Sequence, residues 1–147
     1  MRNPDPVATE LYVNHLRETR PESATAYRPP PAREKWKMFL AAGLLHMSGA
    51  DKSVLVCLID HANPRTGRCD PSEATIAAET NLPKRTVERS IGRLRMVGCL
   101  ARQRRWRGSN TYQIDWAALS SVFHSYKRRI ETETRRKRTT GRQRDPP

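Results

Sequence analysis

With 147 residues the chain has room for one domain with tails. Its apolar fraction is only 36% and it carries 11 prolines, so part of it should lie outside any packed core. Lys and Arg number 28 against 15 Asp and Glu, a net charge of +13 that points to a polyanionic partner, with nucleic acid ahead of a membrane surface. No apolar run approaches the roughly 18 residues of a membrane span, and no signal-peptide core opens the chain. A cytoplasmic, nucleoid-associated protein is expected. Cys57, Cys69 and Cys99 are odd in number and share no CxxC spacing. Cys57 and His61 lie four apart on an expected helix, which permits shared metal ligation. Buried small side chains in a reducing compartment are the preferred reading, and no metal or other cofactor is expected.

Residues 1–32 are mixed in charge and end in Arg28-Pro29-Pro30-Pro31, which reads as a flexible arm. Val7, Leu11, Tyr12 and Leu16 within it could form a short amphipathic helix on a partner. From Arg33 to Met47 the residues Trp36, Phe39, Leu40, Leu44 and Met47 recur at helical spacing, which predicts a helix buried along one side. Ser48 and Asp51 offer caps for a second helix over about 51–62. Its Val54, Leu55, Leu58, Ile59 and Ala62 form a wide apolar face, and Asn63-Pro64 ends it. Gly67-Arg68-Cys69-Asp70 is a connector with room for one or two residues of strand.

The stretch 72–98 organises the rest. Ser72 suits an N-cap for a short helix over about 73–80, with Ile76 and the small Ala77 turned inward. Asn81 stands where the chain must turn sharply, and Asn tolerates a left-handed conformation. Leu82 plugs the corner, and Pro83 suits the first turn of a further helix. That helix places Val87, Ile91, Leu94 and Val97 on one stripe, with Lys84, Arg85, Arg89, Arg93 and Arg95 elsewhere and Gly98 as its C-cap. A small residue, a left-handed corner and a plug between two short helices make a helix-turn-helix. The bland alternative is a helical hairpin in an all-α core.

After Gly98 the period changes to two. Leu100, Arg102 and Arg104 fall on one face and Ala101, Gln103 and Arg105 on the other. Trp106-Arg107-Gly108-Ser109 reads as a turn, and the chain returns with Tyr112 and Ile114 on one side. The order of helices, connector, helix, turn, helix and basic-tipped hairpin is that of a winged helix-turn-helix, mainly α with a small β-hairpin. Trp116, Leu119, Val122, Phe123 and Tyr126 predict a closing helix. Residues 127–147 hold nine Lys or Arg against three acids and read as a basic flexible tail. The expected organisation is therefore an arm at 1–32, a domain at 33–126 and a tail at 127–147.

Residues 51–115 resemble the winged helix-turn-helix domains of plasmid and phage replication proteins and of related small bacterial regulators. The resemblance rests on Asp60-His61-Ala62-Asn63, Gly67-Arg68-Cys69, Pro71-Ser72, Lys84-Arg85-Thr86-Val87-Glu88-Arg89 and Gly108-Ser109-Asn110-Thr111-Tyr112. It implies the same fold and double-stranded DNA as the partner. Two positions depart from it. Pro83 stands where those domains usually have a Ser or Thr cap, and Arg102 stands at a wing position that is commonly apolar.

Long cations at the start of a DNA-binding helix neutralise phosphates, and Arg can also bond two acceptors on a guanine edge. Lys84, Arg85, Thr86 and Arg89 occupy the early turns that reach the bases in this docking mode. Arg85 and Arg89 are the candidates for base readout, with Lys84 and Thr86 on phosphate or base. Glu88 could accept from a cytosine amino group, but a salt bridge to Lys84 or Arg85 is the preferred reading. Arg93 joins the set from the same helix. The wing contributes Arg102, Arg104, Arg105 and Arg107 around Trp106, then Ser109 and Asn110, with Arg105 expected on the DNA backbone. Trp106 either wedges against sugars or covers the hairpin. Residues 84–107 hold nine Lys or Arg and one acid, where a merely solvated face would interleave both signs.

No phosphate-cradling Gly loop, metal signature or carboxylate pair beside a nucleophile is present, so an enzyme is not expected. Three roles follow: a transcriptional regulator first, a plasmid or phage replication-initiation protein second, and an adaptor binding RNA or a protein through the basic tail third. A homodimer is possible, with the helices at 33–47 and 116–126 as candidate surfaces. Neither a membrane nor a small-molecule ligand is expected.

Overall fold

A computed structural model describes residues 28–103 and 110–142. The Val7, Leu11, Tyr12 and Leu16 stripe of the arm, and the hairpin tip with Arg104, Arg105, Trp106, Arg107 and Ser109, lie outside the described residues.

Pro31 leads through a 3₁₀ turn, Ala32–Glu34, into helix α1, Lys35–Leu44. The predicted helix to Met47 stops earlier because Ser48 must be extended to cap the next one. Its hydroxyl accepts from Asp51 N at 3.2 Å, and Leu45 has already turned extended with ψ 142°. The buried face also differs from expectation. Met38, Ala41, Ala42 and Leu45 are buried, whereas Trp36 is 55% exposed and Leu40 is exposed. The small alanines let neighbouring helices come close, and the bulky stripe is left at the flank.

Helix α2, Gly49–His61, buries Val54, Leu55, Leu58 and Ile59 completely. Lys35 Nζ donates to the carbonyls of Asp60 at 2.6 Å and Ala62 at 3.1 Å, placing a cation on the negative end of α2. The chain then turns on Asn63, whose Oδ1 accepts from Arg65 N at 2.9 Å and Thr66 N at 3.3 Å, and on Gly67 at φ 74°. The connector forms no strand. It does make a sheet-like contact, with Tyr112 N donating to Cys69 O at 2.7 Å.

Helix α3, Glu73–Thr80, starts at Ser72, which accepts from Thr75 N at 3.0 Å. It ends on Asn81 in the left-handed region (φ 55°, ψ 37°), and Leu82 packs against the core as the corner plug. Helix α4, Lys84–Met96, follows, with Pro83 as its N-cap rather than inside its first turn. Val87, Ser90, Ile91 and Leu94 are fully buried. Gly98 at φ 81° closes α4 with two bonds, Gly98 N to Arg95 O at 3.1 Å and Cys99 N to Leu94 O at 3.1 Å. This paired closure is the Schellman motif.

Strands β1, Leu100–Gln103, and β2, Thr111–Ile114, pair antiparallel with Leu100 opposite Ile114 and Arg102 opposite Tyr112. Leu100, Tyr112 and Ile114 are buried, which fixes the register by the face that must leave water. Asp115 Oδ1 then accepts from Ala118 N at 3.0 Å and opens helix α5, Trp116–Arg142, whose Trp116, Leu119 and Phe123 reach the core. Phe123 meets Trp36 edge-on with ring centroids 5.6 Å apart, so α1 and α5 spend their aromatic flanks on each other. The helix does not stop near Tyr126, where the apolar pattern ends. The stretch expected as flexible tail is helical through Arg142, because no Pro or Gly interrupts 116–140 and Arg, Lys and Glu are good helix formers. Thr132, Thr134, Thr139 and Thr140 bond back to carbonyls four residues earlier.

The order of elements, mainly helical with one small hairpin, is that of a winged helix-turn-helix. Among the described residues no helix is long and apolar enough to cross a membrane.

Candidate nucleic-acid interface

Helix α4 is amphipathic in a way that sorts its side chains by position. The buried residues Val87, Ile91 and Leu94 define the inner face. Arg85, Arg89, Gly92 and Met96 follow at spacings of four, three and four, so they form one row on the opposite, outer face. Arg85, Arg89 and Met96 are all exposed, Met96 at 80%. Lys84 and Glu88 flank that row in water, and Thr86 is half-buried. Among the described residues Lys84, Arg85 and Arg89 have no ion pair, so the pairing expected at Glu88 does not form. Three cations on the early turns of α4 are thus left without an ion pair among the described residues.

Arg93 is placed differently from the other candidates. Its Nε donates to both carboxylate oxygens of Asp51, at 3.0 and 2.9 Å, and its Nη2 donates to Oδ1 at 2.8 Å. Asp51 is buried, on the first turn of α2, and its hydrogen bond holds the Arg93 guanidinium above its usual range. This fork ties α4 to α2 across 42 residues of sequence. Sequence reasoning gave Asp51 a capping role and Arg93 a DNA contact. The signal that they belong together was the isolated acid at the start of an apolar helix, which needs a counter-charge once buried.

The first turn of α4 has further consequences. Pro83 provides no side-chain cap, so no side-chain acceptor from that position meets the first backbone N–H groups of α4. They belong to the turn that carries Lys84 and Arg85, at the helix end where the dipole favours an anion.

On the hairpin, Arg102 is half-buried opposite Tyr112, on the inward face of the strand pair. Burial raises the Tyr112 hydroxyl above its usual range while Arg102 and Asn110 pull it back. Asn110 Nδ2 lies 3.5 Å from Glu73 Oε1 and 3.5 Å from Tyr112 Oη, which leans the base of the wing on the first turn of α3. Arg102 and Asn110 thus sit between the wing and the domain rather than in the outer row of α4.

Residues 45–98 match the family model of a helix-turn-helix domain. The match begins at the end of α1 and stops at the glycine that closes α4, and it supports a helix-turn-helix DNA-binding domain over that stretch. Comparison with curated proteins and with solved structures finds no match. Within the helix-turn-helix, the left-handed Asn81 and the plug Leu82 set the angle at which the outer row of α4 is presented. The fork from Arg93 to Asp51 fixes the far half of α4 to α2.

Cys57, Cys69 and Cys99 are buried and form no disulfide. Cys69 donates from Sγ to Leu58 O at 3.2 Å, and burial pushes its thiol up to about 12. Cys57 and His61 occupy consecutive turns of α2 as expected, and Glu79 from α3, which the sequence reading did not include, stands against both.

Proposed function

We propose that the protein binds double-stranded DNA sequence-specifically through α4 and acts as a transcriptional regulator. The observation that carries this reading is the outer row of α4: Arg85 and Arg89, exposed and unpaired among the described residues, on the second helix of a helix-turn-helix match. Arg at such positions can bond the O6 and N7 of guanine together. Lys84 and the uncapped N–H groups beside it suit a phosphate that sets the register. Met96 continues the row and offers an apolar contact to a thymine methyl or a sugar. Arg104, Arg105 and Arg107 are proposed as a second, backbone contact from the wing. The resemblance of residues 51–115 to replication-protein domains favours a second reading, initiation of plasmid or phage replication, through the same DNA contacts.

The test is selection of a preferred duplex from a random library, followed by titration of the wild type and Arg89→Ala on that duplex and on a scrambled one at one salt concentration. Arg89→Ala should cost on the order of 1–3 kcal/mol on the preferred site and much less on the scrambled duplex. Equal losses on both would remove Arg89 from base readout. Footprinting around the gene separates the two roles: sites at promoters support regulation, and iterated sites at an origin support initiation.

A further inference from the structure

The last two turns of α2 and the end of α3 bring together three side chains that the DNA contacts do not use. Cys57 and His61 are four residues apart on α2, and Glu79 is the penultimate residue of α3. Glu79 Oε2 accepts from Cys57 Sγ at 3.2 Å and lies 2.7 Å from His61 Nε2. One sulfur, one imidazole nitrogen and one carboxylate oxygen, each from a different side chain, lie within 4.8 Å of one another.

We infer that Cys57, His61 and Glu79 form an exchangeable zinc site that clamps α2 to α3 beside the helix-turn-helix corner. Tetrahedral zinc with ordinary bond lengths to sulfur, nitrogen and oxygen sets its ligand atoms about 3.4–3.6 Å apart. From the distances here, the sulfur–oxygen pair needs to open by about 0.4 Å and the nitrogen–oxygen pair by about 0.7 Å to admit the ion. Glu79 is 48% exposed on its side chain, which leaves its carboxylate room to move. The donor set selects the metal class. A thiolate with an imidazole suits zinc and its neighbours, whereas calcium and magnesium prefer oxygen alone.

Three protein ligands leave one position open, as in zinc sites that exchange water or a ligand rather than closed structural ones. Here a surface cleft of about 540 Å³, bounded by Phe39, Val56 and Thr80, reaches Cys57 and Glu79. Without metal, Cys57 Sγ donates to Glu79 Oε2 at 3.2 Å, so the metal-free sulfur carries its proton. Binding converts the Cys57 S–H into a sulfur–metal bond and releases that proton to solvent. His61 gives the lone pair of Nε2 and Glu79 a carboxylate oxygen, and nothing is oxidised or reduced. The clamp falls two residues before Asn81, so the ion would stiffen the corner that aims α4.

The experiment is a titration of the reduced, metal-stripped full-length chain with Co²⁺, followed by Zn²⁺. A thiolate-to-cobalt charge-transfer band with the ligand-field bands of four-coordinate cobalt should grow to one equivalent and be bleached by zinc. Cys57→Ser should lose the charge-transfer band, while Cys69→Ser keeps it. Glu79→Gln and His61→Gln should each weaken zinc binding by on the order of tenfold or more, since even outer-shell partners cost about that much. Absence of the band in the wild type, its survival in Cys57→Ser, or unchanged zinc affinity in both Glu79→Gln and His61→Gln overturns the site. If Cys57→Ser does not fold, the exposed position Glu79 decides the matter alone.

Discussion

Arg93 and Arg89 lie one turn apart on the same helix, and their neighbours give them opposite work. Arg89 faces water with no partner among the described residues, and Arg93 forks onto a buried carboxylate. Removing Arg93 would leave Asp51, 3% exposed, without that counter-charge. Hydrogen bonds to a charged group are worth about 1.5–3 kcal/mol, and the Arg93 side chain is 49% exposed, so solvent screens part of the interaction. Arg93→Ala should therefore lower unfolding stability by about 1–3 kcal/mol. Arg89→Ala should leave stability within about 0.5 kcal/mol, as expected for a surface position. Denaturant titration of the two variants side by side checks the assignment. Equal stabilities would show that the fork contributes nothing, and Arg93 would return to the candidate DNA contacts.

At the scale of elements, α4 shows why some of the fold was legible and some was not. Its inner stripe, its Asn81 corner and its glycine closure each have a local chemical cause, so all three could be read from residues 81–98. The buried side of α1 could not, because Trp36 and Met38 both belong to plausible helical stripes and only the neighbouring helices choose between them. The connection of Glu79 to Cys57 and His61 was invisible for the same reason: it crosses between helices, and nothing in its spacing announces it. Gly92 offers a test at this scale. It interrupts the outer row of α4 between Arg89 and Met96, and a Cβ added there meets nothing within 4 Å. Gly92→Ala should raise stability by about 0.8–1 kcal/mol through helix propensity alone. If the outer row lies against DNA, the same methyl should weaken binding to the preferred duplex even as the melting temperature rises. Gain in both would place the groove elsewhere on the molecule.

For the whole molecule the instructive feature is a helix that outlives its core. The first third of α5 packs through Trp116, Leu119 and Phe123, and from Lys127 to Gly141 every residue is exposed. Among the described residues those later turns are held by local bonds and by two cations over rings, Lys127 at 6.0 Å from Phe123 and Arg129 at 5.8 Å from Tyr126. Each such contact is worth about 0.5–1 kcal/mol at an exposed site, so truncation after Tyr126 should cost on the order of 1 kcal/mol and leave unfolding cooperative. Binding should respond more. If roughly six to eight cations meet phosphates in the full chain, log affinity should fall against log salt with a slope of about −5 to −7. Residues 127–147 carry nine Lys or Arg, and the truncated chain should show a shallower slope with a similar loss on preferred and scrambled duplexes. An exposed helix with no core beneath it reads charge and not sequence, which is why the loss should be indifferent to the duplex. A slope unchanged by truncation would show that the basic helix does not touch DNA. A loss confined to the preferred duplex would show instead that it reads bases, and the outer row of α4 would then be only part of the recognition surface.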